Sequence, residues 1–146
     1  MELKFEVYGK IQRPIAEVFK AVYDPKQLSS YFTTGGASSP LDAGTTVTWD
    51  FHDFPGAFPV SVIRSEHNRL IEIEWDSAEK GKRTRAVFTF ESLSDNDTKV
   101  TVSEGGWSET DEGLKASYGN CMGWSQMIAA MKVWLEHGIN LRQGFY

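Results

Sequence analysis

Residues 120–137, NCMGWSQMIAAMKVWLEH, decide the fold. Successive helical residues turn by about 100°. On that wheel Cys121, Trp124, Met127, Ile128, Met131, Trp134 and Leu135 share one arc of roughly 140°. Ser125, Gln126, Lys132 and Glu136 fall outside it, and Gly138 follows as a natural stop. The spacing predicts a long helix over 120–137 with a broad apolar face. Most of the chain before it reads as strand, and a sheet with one apolar face needs a cover. A helix wall of this composition serves either as packed core or as a surface facing a ligand. Methionine adapts its shape to many partners, and tryptophan offers a large apolar surface with one N–H.

Working back from that helix, the chain alternates. Leu3, Phe5 and Val7 oppose Lys4, Glu6 and Tyr8, which is the pattern of a half-buried strand. Pro14 suits a first helical position, and Ile15, Val18, Phe19 and Val22 recur at helical spacing. Asp24-Pro25 ends that helix, and Lys26 to Phe32 reads as a short second one. Gly35 to Pro40 reads as a loop. Strands follow, with Val47, Trp49 and Phe51 on one face. Asp53 to Phe58, holding Pro55-Gly56, reads as a turn or loop before a strand over Pro59 to Arg64. Ile71, Ile73 and Trp75 share a face, as do Ala86, Phe88 and Phe90, and then Val100, Val102 and Glu104. Thr110 is a candidate cap for a short helical turn, with Asp111 and Glu112 behind it. Short strands joined by polar turns predict an antiparallel meander. The fold class is therefore α+β. A curved antiparallel sheet of six to seven strands wraps a long C-terminal helix, and two short helices follow the first strand. Residues 1–146 read as a single domain with no internal repeat.

Composition narrows the function. Hydrophobic residues make up 40% of the chain, enough for a core. The net charge of −5, with no basic run, argues against a nucleic-acid partner. No apolar run reaches the length of a membrane span, so membrane insertion is not expected. The opening MELKFEVYGK alternates and carries early charge, unlike a signal peptide. One cysteine cannot close an internal disulfide. Together these point to the cytoplasm.

Few residues carry chemistry. His52, His67, His137 and Cys121 lack the spacing of a metal site, and no cofactor motif is present. Glu104 is the one carboxylate that strand alternation turns inwards. Facing an apolar cavity, it is a candidate catalytic acid or base, or a hydrogen-bond partner for a ligand. Tyr31, at the elbow of the short helices, is a second candidate polar group at a cavity mouth.

The stretch IQRPIAEVFKAVYDPKQLSSYF resembles the opening of START-like (SRPBCC, birch-pollen-allergen-like) domains. Within them it is most similar to homologues of the activator of the heat-shock-protein-90 ATPase. Ile11, Pro14, Val18-Phe19, Asp24-Pro25 and Tyr31-Phe32 stand in that family's order and spacing. Arg69-Leu70 before Trp75, Thr98 with Val100 and Val102, and Gly123-Trp124 continue it. Two positions depart: Tyr31 stands where the family commonly has Trp, and Glu104 where a His is frequent. The resemblance implies the helix-grip fold.

Three functions follow as expectations. The first is a module that binds an apolar or aromatic small molecule, such as a lipid, polyketide or flavonoid-like compound, between sheet and helix. Its lining would be Tyr31, Trp49, Phe51, Trp75, Phe88, Phe90, Glu104, Trp124, Met127, Ile128 and Met131. The second is an enzyme of the polyketide cyclase or dehydratase kind, using Glu104 and Tyr31. The third is a co-chaperone-like interaction protein, with a chaperone or a second copy as partner.

Overall fold

A computed structural model of the protein describes residues 1–145. Ten elements run in chain order: β1 (Lys4–Ile11), α1 (Ile15–Tyr23), α2 (Pro25–Ser29), β2 (Gly36–Ala37), β3 (Thr46–Phe51), β4 (Phe54–Glu66), β5 (Leu70–Asp76), β6 (Arg83–Ser94), β7 (Asp97–Gly105) and α3 (Asp111–His137). The strands form one seven-stranded antiparallel sheet in the order β1-β7-β6-β5-β4-β3-β2. Consecutive strands from β2 to β7 are neighbours, and β1 returns to pair with β7, Lys4 opposite Gly105 and Ile11 opposite Thr98. The sheet grips α3, as the helix-grip expectation requires.

Strand alternation sets the inner face. Val47, Trp49, Val60, Val62, Ile71, Ile73, Ala86, Phe88, Phe90, Val100 and Val102 are all buried. Register brings them into rows, such as Val62 opposite Ile73, Ile73 opposite Ala86, and Ala86 opposite Glu104. Trp124, Met127, Ile128 and Met131 of α3 close against that face. On α3's apolar arc, Cys121, Trp134 and Leu135 are only partly buried. The helix approaches β1 closely at Gly9, where a Cβ would stand 2.6 Å from Ile128 Cγ2. The opposite face of the sheet is ionic. Arg64 meets Glu72 at 2.8 Å, Arg83 meets Glu74 at 3.0 Å, and Arg85 meets Glu74 at 3.0 Å.

Three elements depart from the sequence reading. The terminal helix starts at Asp111, not 120, because Thr110 caps the long helix itself; its Oγ1 accepts from Gly113 N at 3.1 Å. Residues 111–119 are mostly polar or small, so apolar spacing could not reveal them. Residues from Phe54 onward belong to β4 rather than to a turn, since the ladder to β3 continues to Phe51 opposite Phe54. The Gly35–Pro40 stretch contains a two-residue strand, β2, added to the sheet by pairing with β3.

Candidate ligand-binding site

Glu104 lies near the end of β7 and is 2% exposed. Alternation turns it inwards beside Thr84 of β6, Trp75 of β5 and the first half of α3. Four side chains donate to its carboxylate. Trp75 Nε1 lies 3.0 Å from Oε2, and Thr84 Oγ1 lies 2.6 Å from the same oxygen. Trp124 Nε1 reaches Oε1 at 2.6 Å, and Asn120 Nδ2 bridges both oxygens at 3.1 Å. A carboxylate has about four lone-pair sites, so these donors saturate it. No cation is among them: the charge is met by indole, amide and hydroxyl dipoles. A general base needs a lone pair within reach of the proton it takes, and here the lone pairs are occupied from within the fold. The carboxylate ties β5, β6 and α3 together at one point.

Around this anchor lies a shell of aromatic rings. Trp124 stacks on Trp75 at 5.4 Å between centroids and meets Phe88 edge-on at 5.2 Å. Phe32 lies 5.7 Å from Trp124, 5.8 Å from Trp49 and 5.1 Å from Phe51. Trp49 meets Trp75 at 5.7 Å. The Trp49 side chain is fully buried, yet its Nε1 has no hydrogen-bond partner. Buried indole N–H groups are normally satisfied, because an unmade bond costs about 1–3 kcal/mol. The cluster thus holds one saturated acceptor, Glu104, and one unsatisfied donor, Trp49.

Residues 12–136 match the model of the family described as activator of Hsp90 ATPase homolog 1-like protein. The chain belongs to that family. No curated protein sequence matches it. Among solved structures, a protein of Staphylococcus saprophyticus superposes with a TM-score of 0.80 at 24% identity, covering 96% of both chains. The Aha1 dimer of Colwellia psychrerythraea has a TM-score of 0.73 at 18% identity, covering 93% of this chain and 98% of that one. An HSP90 activator of Plasmodium falciparum has a TM-score of 0.72 at 18% identity, covering 93% and 96%. At these identities the likeness is one of fold.

In this member of the activator-homologue family, the apolar residues named from sequence share one core, and ring contacts gather some of them around Glu104. Trp49, Phe51, Trp75, Phe88, Glu104 and Trp124 come together. Phe90, on the same face of β6 as Phe88, meets Phe19 of α1 edge-on at 5.3 Å. Met127, Ile128 and Met131 are buried along α3, with Ile128 against Gly9. Tyr31 is not at a mouth. It is fully buried and donates to the Ala21 carbonyl at 2.9 Å. Burial pushes its pKa well above the ordinary tyrosine value, so the phenol stays protonated near neutrality. The sequence reading missed Phe32, Thr84 and Asn120. Thr84 was legible, since it alternates in step with Ala86, Phe88 and Phe90. Asn120 was not, because nothing in the sequence places it opposite Glu104. Among the described residues, no three His, Cys, Asp or Glu side chains are grouped to hold a metal ion. No helix among them is long and apolar enough to cross a membrane.

Proposed function

We propose that this protein binds, without turnover, a mainly apolar, aromatic small molecule that carries one hydrogen-bond acceptor. The ligand enters the ring cluster between β3, β5 and α3, and its acceptor takes the N–H of Trp49. The observation that carries this reading is that buried, unpartnered indole nitrogen in a shell of five other rings. Pockets for such ligands are mostly apolar, with a few placed polar groups. The saturation of Glu104 and the burial of Tyr31 support binding over acid–base catalysis. A cytoplasmic setting goes with this reading, as Cys121 is a free thiol.

Flavone, which has ring surface and a carbonyl acceptor, is a suitable probe. Its titration should change tryptophan emission and raise Tm, because a ligand of the native state stabilises it. Trp49→Phe keeps a ring but removes the donor, and should weaken flavone binding by roughly tenfold. A panel of lipids, polyketides and flavonoids with no spectral or thermal response would end this reading.

A second reading is favoured by the family itself and by the fold shared with an HSP90 activator. Here the partner is a chaperone ATPase. The exposed Tyr118 and Met122, on a stretch of α3 without charge from Ala116 to Met131, suit a protein contact. Chaperone ATPase rates measured with and without the purified protein decide it, and an unchanged rate removes it.

A further inference from the structure

Beyond α3 the chain turns back at Gly138, whose φ is 68°, and runs through successive turns over residues 141–145. Ile139 and Phe145 are 57% and 55% exposed, and Leu141 is 37% exposed. The backbone bonds of this segment are internal: Gln143 N donates to Asn140 O, and Phe145 N to Arg142 O. Arg142 is different. Its side chain is 13% exposed, and it forks onto Asp53, itself 16% exposed, in the turn between β3 and β4. Nη2 lies 3.0 and 2.9 Å from the two carboxylate oxygens, and Nε lies 3.2 Å from Oδ1. The guanidinium carbon also stands 5.1 Å from the ring centre of Phe51 and 5.7 Å from that of Phe32. Those two rings are the outer members of the cluster around Trp49. A forked, water-poor ion pair resting on two ring faces is far stronger than an open surface pair.

We infer that residues 138–145 form a strap over the aromatic cluster, with Gly138 as hinge and the Arg142–Asp53 pair as clasp. The inference rests on the binding reading above. A segment of turns with mostly exposed side chains belongs to the less stable part of a fold and opens locally. With the clasp made, Arg142 covers Phe32 and Phe51. With it broken, both rings are uncovered, and an apolar molecule can reach Trp49. The strap therefore governs the rates of entry and exit more than the affinity.

The test uses the full chain and two variants, Asp53→Asn and Arg142→Gln. Because the Trp49 indole N–H makes no hydrogen bond, burial alone shields it, and its exchange with solvent measured by NMR reports the uncovering of the cluster. Both variants should speed that exchange by roughly tenfold or more. Association and dissociation of Nile red, a neutral aromatic probe, should accelerate together. The charge-swapped double variant, Asp53→Arg with Arg142→Asp, should restore slow exchange. If Trp49 exchange is unchanged while the amides of residues 142–145 exchange faster, the segment opens without covering the cluster and the strap is overturned. If every rate is unchanged, the clasp is overturned. If Trp49 exchange accelerates but Nile red binds no form of the protein, the strap stands and the binding reading fails.

Discussion

A carboxylate with four donor side chains and no cation is demanding to replace. Glu104→Gln keeps the shape of the side chain but puts an NH₂ group where indole and amide N–H groups already point. At least one of Trp75, Asn120 and Trp124 must then lose its acceptor. We expect a cost of about 1–3 kcal/mol, seen as a lower midpoint in a urea melt. The catalytic reading of Glu104 expects the opposite, an intact fold with turnover lost. Tyr31→Phe makes a gentler comparison. It deletes one hydrogen bond to the Ala21 carbonyl and adds no conflicting donor, so about 1 kcal/mol is expected by the same melt. At this scale the sequence was informative about direction and silent about partners. Alternation alone turned Glu104 inwards. Its donors come from three separate elements, and only tertiary structure brings Trp75, Thr84, Asn120 and Trp124 to the same two oxygens.

Elements add a second level of constraint. At the crossing of β1 and α3, Gly9 leaves no room for a methyl group, since Ile128 Cγ2 occupies that space. Gly9→Ala should overpack the crossing by about 1–3 kcal/mol. Combining it with Ile128→Ala should cost less than the two single changes added together, and thermal or chemical melts of the four proteins measure that coupling. Near its C-terminus, α3 grips β1 and its exit by polar contacts. Glu136 Oε2 accepts from Gln12 N at 2.8 Å and from Lys132 Nζ at 2.6 Å, and Lys132 also reaches the Lys10 carbonyl at 3.0 Å. Burial raises the Glu136 pKa, but the Gln12 amide and the Lys132 ammonium outweigh it and hold the carboxyl below its ordinary value. A depressed carboxyl contributes stability above the pKa of the unfolded chain, about 4.3, and loses it as pH falls through the lower folded value. Glu136→Gln should therefore be less stable than the parent at pH 7, with the gap closing below about pH 4. Melts across that range check it. The apolar stripe of α3 was readable because helical spacing repeats it. The first nine residues of the helix carry no such stripe, and only a cap residue marked them.

The run from β3 to β7 was legible as a meander, since those strands alternate and polar turns join them. What no local pattern could give was the β1–β7 pairing across the length of the chain, or the meeting of Asp53 with Arg142. Both are contacts of high sequence separation, and closing such loops costs entropy before any contact repays it. The β1 ladder should then form late in folding. Val7→Ala should mainly speed unfolding, whereas Ile73→Val, in the local β4–β5 hairpin, should mainly slow folding. Stopped-flow chevrons of the two variants separate these outcomes. The same order matters during synthesis. The inner face of the sheet is complete once β7 has been made, yet its cover, the 27-residue α3, begins only at Asp111. At about 5–20 residues per second, the ribosome needs roughly one to five seconds to deliver that helix. Through that interval the nascent chain carries a finished apolar surface with nothing over it, longer than side-chain collapse needs and long enough for a stray apolar partner to find it.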